Sequence, residues 1–312
     1  MSRTAIYATL VATLAILALY HQNQQPTTYS FDQFKLDHSK TYSTNAEESY
    51  RKTIFLKNLV RIHEHNANPD NTWQMGVNQF SDLTQSEFEA IYLTLQKPQK
   101  VREVKNVEFK YTPSNDIDWV EAGMVSKVKN QGACGSCWAF GATGALESAD
   151  LIAGGNDLYS EQDLVDCSRG YGNMGCNGGW MDSAFEYIID KGIATEQDYP
   201  YTARDGSCQN KERKSILDDY VDVPGCDNLL NALATQPITV AVDASIWSPY
   251  RGGVMSNCGT AINHGVLVVG VTDDYWKVKN SWGSGWGETG FIRLARGNTC
   301  AVCSYPSYPV LN

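Results

Sequence analysis

The 312-residue sequence has no surplus of basic residues: 25 Lys and Arg stand against 35 Asp and Glu, a net charge of −10. A protein that neutralises nucleic-acid phosphates needs clustered positive charge, so we expect no nucleic-acid partner. Internal repeats and low-complexity tracts are also absent, which excludes solenoid, collagen-like and coiled-coil proteins. Because 42% of the residues are hydrophobic, the chain can still bury a core, and a mostly disordered protein is excluded.

Long apolar runs are scarce as well. The first of them, from Ala5 to Leu19, follows Arg3 and is short for a membrane span. We interpret residues 1–20 as a signal peptide, with an uncleaved membrane anchor as the alternative. The prediction is a protein of the secretory pathway that has no membrane attachment after cleavage and folds where disulfides form. The sequence contains no Asn-x-Ser/Thr site, so sorting by glycans has no support.

Cysteine is missing from the first third of the chain, and histidine is nearly missing from the rest. All nine cysteines follow residue 111, and His264 is the single histidine of residues 112–312. Residues 21–111 carry eleven basic and eleven acidic residues, a net charge of zero, whereas residues 112–312 carry thirteen and twenty-four, a net charge of −11. This contrast indicates a removable segment, residues 21–111, joined to a cysteine-rich body, residues 112–312.

Two patterns in the removable segment predict local structure. No Gly or Pro interrupts residues 46–66, and helical spacing relates Glu47, Arg51, Phe55, Asn58, Ile62 and Asn66. A period of two, typical of a short strand, relates Gly76, Asn78, Phe80 and Asp82. From Ile91 to Lys110 the composition is polar and rich in lysine, as expected of an exposed linker.

The body begins with helical patterns and ends with strand patterns. Periodicity predicts helices over 138–152 and 181–191, and strands over 238–242, 264–271, 275–279 and 291–295. We therefore expect an α+β protein with a helical lobe at about 120–220 and a strand-rich lobe at about 221–312. A cleft between two lobes is a favoured place for a functional site.

Cys134 and Cys137 have a Cys-x-x-Cys spacing that fits three kinds of site. A zinc site lacks further ligands in the body, so we expect no metal, and no other cofactor is indicated. A thioredoxin-like redox site would follow a strand in a βαβ unit, a context that the patterns do not predict. The third kind is a nucleophile, because Cys137 begins the predicted helix and a helix N-terminus stabilises a thiolate. His264 could then accept its proton, and Asn280 could orient the imidazole ring.

The sequence resembles the papain-like cysteine proteases, and within them the cathepsin L group. Residues 134–138, Cys-Gly-Ser-Cys-Trp, form a signature of this family, and His264 and Asn280 follow Cys137 by 127 and 143 residues. The six helically spaced residues of 47–66 and the four alternating residues of 76–82 match the two motifs of the family's pro-domain. The resemblance covers nearly the whole chain after the signal peptide.

The resemblance implies a two-lobed papain-like fold, and a cysteine endopeptidase that is synthesised as an inactive proenzyme. Cys137 would be the nucleophile, and His264 the general base and acid. Asn280 would orient the imidazole ring, and Gln131 would supply the oxyanion-hole side chain. Trp282 would shield the contact between His264 and Asn280 from water.

The resemblance also assigns the walls of the substrate cleft. The predicted substrate-binding residues are Gly178, Gly179, Trp180, Met181, Ala241, Ile262, Asn263, Tyr305 and Trp286. Tyr305 stands where cathepsin L has a small residue, so we expect Leu or Val, rather than Phe or Arg, as the second residue before the scissile bond. Asn263 stands where the family often has Asp, which should narrow the alkaline limb of the pH profile. No insertion resembling an occluding loop is present, which favours endopeptidase over exopeptidase action.

The odd number of cysteines follows from the same resemblance, because the nucleophile must stay free. Three disulfides are implied by the family pattern: Cys134–Cys176, Cys167–Cys208 and Cys258–Cys300. Cys226 and Cys303 lie outside this pattern. We predict a fourth disulfide between them, and the alternative is that both stay unpaired.

The removable segment, residues 21–111, would be an inhibitory pro-domain that runs backwards through the cleft, and the mature enzyme would begin near residues 110–114. His63 and His65 lie on the predicted motif helix, and histidine gains charge in acid. We therefore expect acid to loosen the pro-domain, with Asp82 as a further candidate. The alternative is that both histidines are only solvated.

The expected partners are protein and peptide substrates and the chain's own pro-domain, and the enzyme is expected to be a monomer. Its location would be a lysosome or digestive vacuole, or the extracellular space. Two other functions stay open at this point. One is a catalytically silent binding protein on the same scaffold, and the other is a redox protein that uses Cys134 and Cys137.

Overall fold

The computed structural model describes residues 29–98, 114 and 116–312. The predicted signal peptide, residues 1–20, and most of the expected processing region near residues 110–114 lie outside these described residues. The chain divides into two compact units between Thr53 and Ile54. In the described ranges, no helix combines the length and the apolar character that crossing a membrane requires.

The first unit contains helix α1 (Phe31–Asp37) and the beginning of helix α2 (Asn45–Ala67). The side chain of Ser30 caps α1 by accepting a hydrogen bond from the backbone N–H of Gln33 at 3.1 Å. An ion pair between Lys35 and Glu48 joins the two helical segments. The helix predicted over residues 46–66 is therefore confirmed.

The second unit begins within α2 and continues through strand β1 (Trp73–Met75) and helix α3 (Gln85–Tyr92). Two asparagines of α2 hold the segment that follows it. Asn58 donates to the backbone carbonyls of Ser81 and Leu83 at 2.9 and 3.0 Å. Asn66 accepts from the backbone N–H of Met75 at 2.9 Å and donates to its carbonyl at 2.8 Å.

The strand predicted over Gly76–Asp82 is wrong, because these residues form turns and the strand β1 precedes them. The Asn78 carboxamide accepts from the backbone N–H of Phe80 at 2.9 Å, and the Ser81 hydroxyl accepts from the N–H of Asn78 at 3.1 Å. Local side-chain to backbone bonds of this kind compete with strand pairing. The alternation of residues 76–82 therefore does not reflect a pleated strand.

Three buried helices form the helical part of the body: α4 (Cys137–Ile152), α5 (Glu161–Cys167) and α6 (Met181–Lys191). The helices predicted over 138–152 and 181–191 are thus confirmed. The ammonium of Lys129 lies 2.6 Å from carboxylate oxygens of both Glu147 and Glu161, which places an ion cluster between α4 and α5. The sequence patterns did not predict this cluster.

The strands after β1 are β2 (Ile117–Asp118), β3 (Leu217–Asp222), β4 (Ile238–Val242), β5 (Tyr250–Met255), β6 (His264–Val271), β7 (Tyr275–Lys279), β8 (Phe291–Ala295) and β9 (Ser307–Leu311). They form a sheet of order β1-β5-β8-β7-β6-β4-β9-β3, with β2 added to β6, and only β5 and β8 pair in parallel. The four predicted strands coincide with β4, β6, β7 and β8. In the body, the patterns missed β2, β3, β5, β9, α5 and helix α7 (Cys226–Leu233).

Two hydrophobic cores fill the body, one around the helices and one around the strands. The α+β class predicted from the patterns is confirmed. The division into lobes is less simple than predicted, because β3 spans the expected boundary at 220/221 and pairs with the C-terminal β9. The strand β2, which precedes the helices in the chain, pairs with β6.

Four disulfides cross-link the body: Cys134–Cys176, Cys167–Cys208, Cys226–Cys303 and Cys258–Cys300. Among the nine cysteines, all of which lie in the described residues, Cys137 alone is free. Because Cys134 is bonded to Cys176, it is not available as a redox partner of Cys137. The redox interpretation of the Cys-x-x-Cys motif is therefore wrong.

This pairing predicts that denatured but unreduced protein takes up one alkyl group and that reduced protein takes up nine, as intact mass spectrometry would measure. The control variant Cys137→Ser should take up none before reduction and eight after it. Three alkyl groups on the unreduced wild-type protein would show that Cys226 and Cys303 are unpaired.

Candidate active site

Cys137 is the first residue of α4, and its side chain is fully buried. Burial raises the pKa of the Cys137 thiol to about 11, although nearby backbone N–H groups, including that of Gly265, partly offset this effect. A neutral thiol is a poor nucleophile. In the chain that still contains the removable segment, burial therefore disfavours ionisation of the Cys137 thiol.

His264 begins β6 and Asn280 follows β7, and the antiparallel pairing of these strands brings the two side chains together. The distance from His264 Nε2 to Asn280 Oδ1 is 2.8 Å. The backbone N–H of Ser281 donates to the same Oδ1 at 2.8 Å, which identifies this atom as the amide oxygen. Because an amide oxygen only accepts, Nε2 of the imidazole carries the proton, and Nδ1 is left as the basic nitrogen.

The imidazole of His264 is buried, and burial lowers its pKa to about 4. The Asn280 side chain and the backbone of Tyr92 act in the opposite direction and do not reverse the effect. Gly265 packs against the start of α4: a methyl group there would lie 3.3 Å from the carbonyl oxygen of Cys137. The first residues of β6 and α4 are therefore in contact, and both titratable groups are neutral at pH 7.

Gln131 is buried, and four hydrogen bonds fix it, one of them from the Tyr201 hydroxyl to its backbone carbonyl at 2.7 Å. Its carboxamide oxygen accepts from the Ser281 hydroxyl at 2.7 Å, and its Nε2 donates to the carbonyl of Cys134 at 2.9 Å. Its backbone N–H donates to the carbonyl of Ser281 at 2.8 Å. An amide nitrogen has two N–H donors, so the bond to Cys134 leaves a second donor on Gln131 for another acceptor.

Trp282 lies between the imidazole and a group of aromatic side chains from the removable segment. Its ring centroid is 4.7 Å from that of His264. The edges of three rings contact the other parts of the indole, with centroid distances of 5.4, 5.2 and 6.4 Å for Phe80, Phe88 and Tyr92. The side chain of Gln79 also donates to the carbonyl of Trp282 at 2.7 Å. These contacts exclude water from the imidazole.

The next residues of the chain, 93–97, lie along Gly178 and Gly179, which form the glycine wall of the cleft. The Thr94 hydroxyl donates to the carbonyl of Gly135 at 2.9 Å. The backbone N–H groups of Leu95 and Gln96 donate to the carbonyls of Asn263 and Gly179, each at 3.1 Å. The linker predicted after Ile91 is exposed at Gln96 and Lys97, as expected. It is not free of the body, because Leu95 is buried and backbone bonds hold the segment in place.

Leu95 is 8% exposed and belongs to an apolar cluster of the body. The predicted pocket residues that share this apolar cluster with it are Trp180, Met181, Ala241, Ile262 and Tyr305. Gly178 has a φ of +114°, and a methyl group there would lie 2.0 Å from the carbonyl oxygen of Thr94. A side chain at Gly178 would therefore displace the segment that the wall now holds.

Asn263 and Trp286 are placed differently from the pocket residues. The Asn263 carboxamide accepts from the backbone N–H of Ala244 and donates to the Ser245 hydroxyl, both at 2.9 Å, so its side chain holds the turn after β4. Its backbone carbonyl is the part that contacts Leu95. The Trp286 ring lies 4.8 Å from that of Trp282 and supports it.

Sequence reasoning missed the residues of the removable segment that cover the site, above all Phe88, Tyr92 and Leu95. Phe88 and Tyr92 are spaced by four residues on α3, and Thr84 and Glu87 cap this helix at its start. That capping pattern could have predicted the helix, but not the surface on which it packs. In the described part of the chain, no group of three or more His, Cys, Asp or Glu side chains is arranged to hold a metal ion.

Comparison with known families gives two matches on this chain. Residues 113–310 match the model described as papain family cysteine protease. Residues 31–88 match the model described as cathepsin propeptide inhibitor domain. The two matches lie in the body and in the removable segment, respectively.

Individual proteins of similar sequence include cathepsins. Cathepsin L 2 of Paramecium tetraurelia is 44% identical over 308 residues, which cover 94% of this chain and 98% of the relative. Procathepsin L of Rattus norvegicus is 42% identical over 306 residues, covering 90% and 91%. The solved structure of digestive procathepsin L 3 from the Tenebrio molitor larval midgut has a TM-score of 0.82 at 42% identity and covers 90% of this chain and 97% of its own.

The buried, neutral thiol predicts slow alkylation of the intact chain. At pH 7 a thiol with a pKa of about 11 is ionised in roughly one molecule in ten thousand. We expect iodoacetamide to modify Cys137 more than a hundredfold faster once residues 21–111 have been removed, as peptide mass spectrometry over time would measure. The variant Phe88→Ala should give an intermediate rate, and equal rates for the intact and processed forms would contradict the prediction.

Proposed function

This chain belongs to the papain family of cysteine proteases and carries a cathepsin-type propeptide, and we propose that it is an endopeptidase that uses Cys137 as its nucleophile. The observation that carries the proposal is the hydrogen bond from His264 Nε2 to Asn280 Oδ1, at 2.8 Å. This bond leaves Nδ1 of the imidazole as the base, on a strand whose next residue packs against Cys137. The same chain retains Gln131 beside the site, which argues against a catalytically silent binding protein.

The proposed reaction begins when His264 Nδ1 takes the thiol proton and the thiolate of Cys137 attacks the peptide carbonyl. The oxyanion then accepts hydrogen bonds from the Cys137 backbone N–H and the Gln131 carboxamide, each worth about 3 kcal/mol. His264 returns its proton to the leaving amine, and an acyl-enzyme forms. Water, deprotonated by His264, hydrolyses the thioester and frees Cys137.

We propose that residues 21–111 inhibit the enzyme by covering it in two places. Aromatic side chains of α3 keep water from the imidazole, and residues 93–97 occupy the cleft. The chain passes from Tyr92, near His264, to Leu95 in the apolar pocket. A substrate would run the other way, with its earlier residues in that pocket, so the peptide bonds of the inhibitory segment are presented in reverse.

The pair of Cys137 and His264 does not itself explain activation by acid. Uncovering the site converts the neutral thiol and imidazole into a thiolate and an imidazolium. This step moves one proton from the thiol to the imidazole and takes up none from the solution. We propose that other groups sense acid, namely His63 and His65 on α2, with Asp82 as a further candidate. The ring of His65 lies 4.2 Å from that of Trp73, and its Nε2 is 3.0 Å from the Trp73 carbonyl oxygen.

The pocket that Leu95 fills supports a preference for Leu or Val as the second residue before the scissile bond. Tyr305 and Trp180 pack edge to face, with ring centroids 5.7 Å apart, and together they narrow the apolar space. A larger ring such as Phe would have to displace Tyr305. An Arg side chain would bury its charge among apolar groups.

We propose the domain limits expected from the sequence: a signal peptide over residues 1–20, a pro-domain over 21–111 and a monomeric enzyme over 112–312. The apolar run at residues 5–19 supports entry into the secretory pathway. The final compartment would be a lysosome or digestive vacuole, or the extracellular space.

Active-site variants test the proposed roles. After acid treatment, an epoxysuccinyl inhibitor should label one cysteine of the wild-type protein, and dipeptidyl substrates should be hydrolysed. Cys137→Ser should lose both properties, and Gln131→Ala should lower kcat by about a hundredfold or more while still allowing the label to attach. Hydrolysis by Cys137→Ser at the wild-type rate would refute the assignment.

Substrate preference tests the pocket. A positional peptide library should show Leu and Val above Phe and Arg at the second residue before the scissile bond. Tyr305→Ala should raise the kcat/KM for Phe relative to Leu, because it deepens the pocket. A Phe or Arg optimum in the wild-type enzyme would contradict the proposed pocket.

Acid sensing is tested by the double variant His63→Gln and His65→Gln. If these histidines gain charge and loosen the pro-domain, the pH midpoint of autoprocessing should move to lower pH. The variant Asp82→Asn is compared in the same way. The pH midpoint of autoprocessing is measured by gel analysis of the processed chain. An unchanged midpoint in the double variant would remove the histidines from the mechanism.

A further inference from the structure

Lys97 makes a contact in the cleft that inhibition alone does not require. Its ammonium lies 2.9 Å from the Tyr305 hydroxyl and 4.2 Å from the centroid of the Tyr305 ring. A cation over an aromatic face is attracted by the ring electrons, and the phenol oxygen adds an acceptor. Tyr305 therefore binds this cation with both its ring and its hydroxyl.

Contacts with the body fix residues 95–97 and so place Lys97. The backbone N–H groups of Leu95 and Gln96 donate to the carbonyls of Asn263 and Gly179. Leu95 belongs to the apolar cluster that Tyr305 packs against, and the Gln96 side chain donates to the carbonyl of Asn177 at 3.3 Å. Lys97, two residues after Leu95, contacts Tyr305 in turn.

A buried carboxylate is connected to Tyr305 through one side chain. Asp182 is buried, and its two oxygens accept hydrogen bonds from the Trp180 indole N–H and the Ser307 hydroxyl, each at 2.7 Å. The indole of Trp180 in turn packs edge to face on Tyr305. The body also carries a net charge of −11, counted over residues 112–312. This acidic balance of the body favours the approach of a cation to its surface.

We propose that, in the processed enzyme, Tyr305 binds the side chain of a Lys or Arg that stands four residues before the scissile bond. The inference rests on the proposed endopeptidase function and adds a second specificity position to it. A substrate runs opposite to residues 95–97 but uses the same places. Its second residue before the scissile bond takes the site of Leu95, its third that of Gln96, and its fourth that of Lys97.

Matched fluorogenic peptides test the proposal on the processed enzyme. All have Leu as the second residue before the scissile bond and differ only at the fourth, which is Lys, norleucine or Glu. Norleucine has a similar aliphatic chain without the charge, so it is the control for packing. We expect kcat/KM for Lys to exceed that for norleucine by about three- to tenfold, and Glu to be the poorest.

Two variants locate the effect, and the ratio of Lys to norleucine within each variant is the quantity compared. Tyr305→Phe keeps the ring and should retain part of the preference. Tyr305→Leu removes ring and hydroxyl and should bring the ratio to about one. High salt should lower the wild-type ratio, since it screens exposed charges.

The outcomes separate this inference from the proposed function. Absence of hydrolysis of every peptide, together with no epoxysuccinyl labelling of Cys137, would overturn the endopeptidase proposal itself. Hydrolysis with a wild-type ratio near one, or an unchanged ratio in Tyr305→Leu, would overturn the inference alone. A preference for Lys at the second position instead of the fourth would overturn it too. The ratio of Lys to norleucine measured with the wild-type enzyme tests the inference even if a Tyr305 variant does not fold.

Discussion

The packing of Trp282 between His264 and the aromatic side chains of α3 is the contact on which the state of the whole site depends. The indole lies against the imidazole, and Phe80 and Phe88 pack on it edge to face. The resulting exclusion of water keeps the imidazole neutral. Trp282 would also shield the bond between His264 and Asn280 in the active enzyme. The removable segment therefore packs against a side chain that catalysis also needs.

Close backbone approach is the second constraint. Gly265 lets β6 touch the first residue of α4, and the glycine wall lets residues 94–96 lie along the cleft. These contacts depend on missing side chains, and they bring together residues that are distant in the chain, such as Gly265 and Cys137. The ion cluster of Lys129, Glu147 and Glu161 lies behind them and ties α4 to α5.

Sequence patterns predicted the elements whose side chains repeat with a strong period. The helix α4 and the strands β4 and β6 are buried along most or all of their length, and β7 and β8 alternate between buried and partly buried side chains. The patterns failed for Gly76–Asp82, which is not a strand, and for residues 93–97, whose composition suggested a linker. Local side-chain bonds and bonds from Asn78 and Gln79 to the carbonyls of Ser248 and Trp282 hold the first segment. Bonds to the body hold the second, and local periodicity does not reveal such distant partners.

The sequence by itself determined the family, the identity of the candidate catalytic residues and the single thiol to be left free, because these depend on residue types at characteristic separations. The tertiary structure decided what state those residues are in. Burial raises the pKa of the Cys137 thiol and lowers that of the His264 imidazole, and Lys97 lies on Tyr305 because contacts with the body hold residues 94–96. The burial of a side chain and the course of a bound segment depend on surfaces that form only when the chain folds. The sequence alone therefore does not show them.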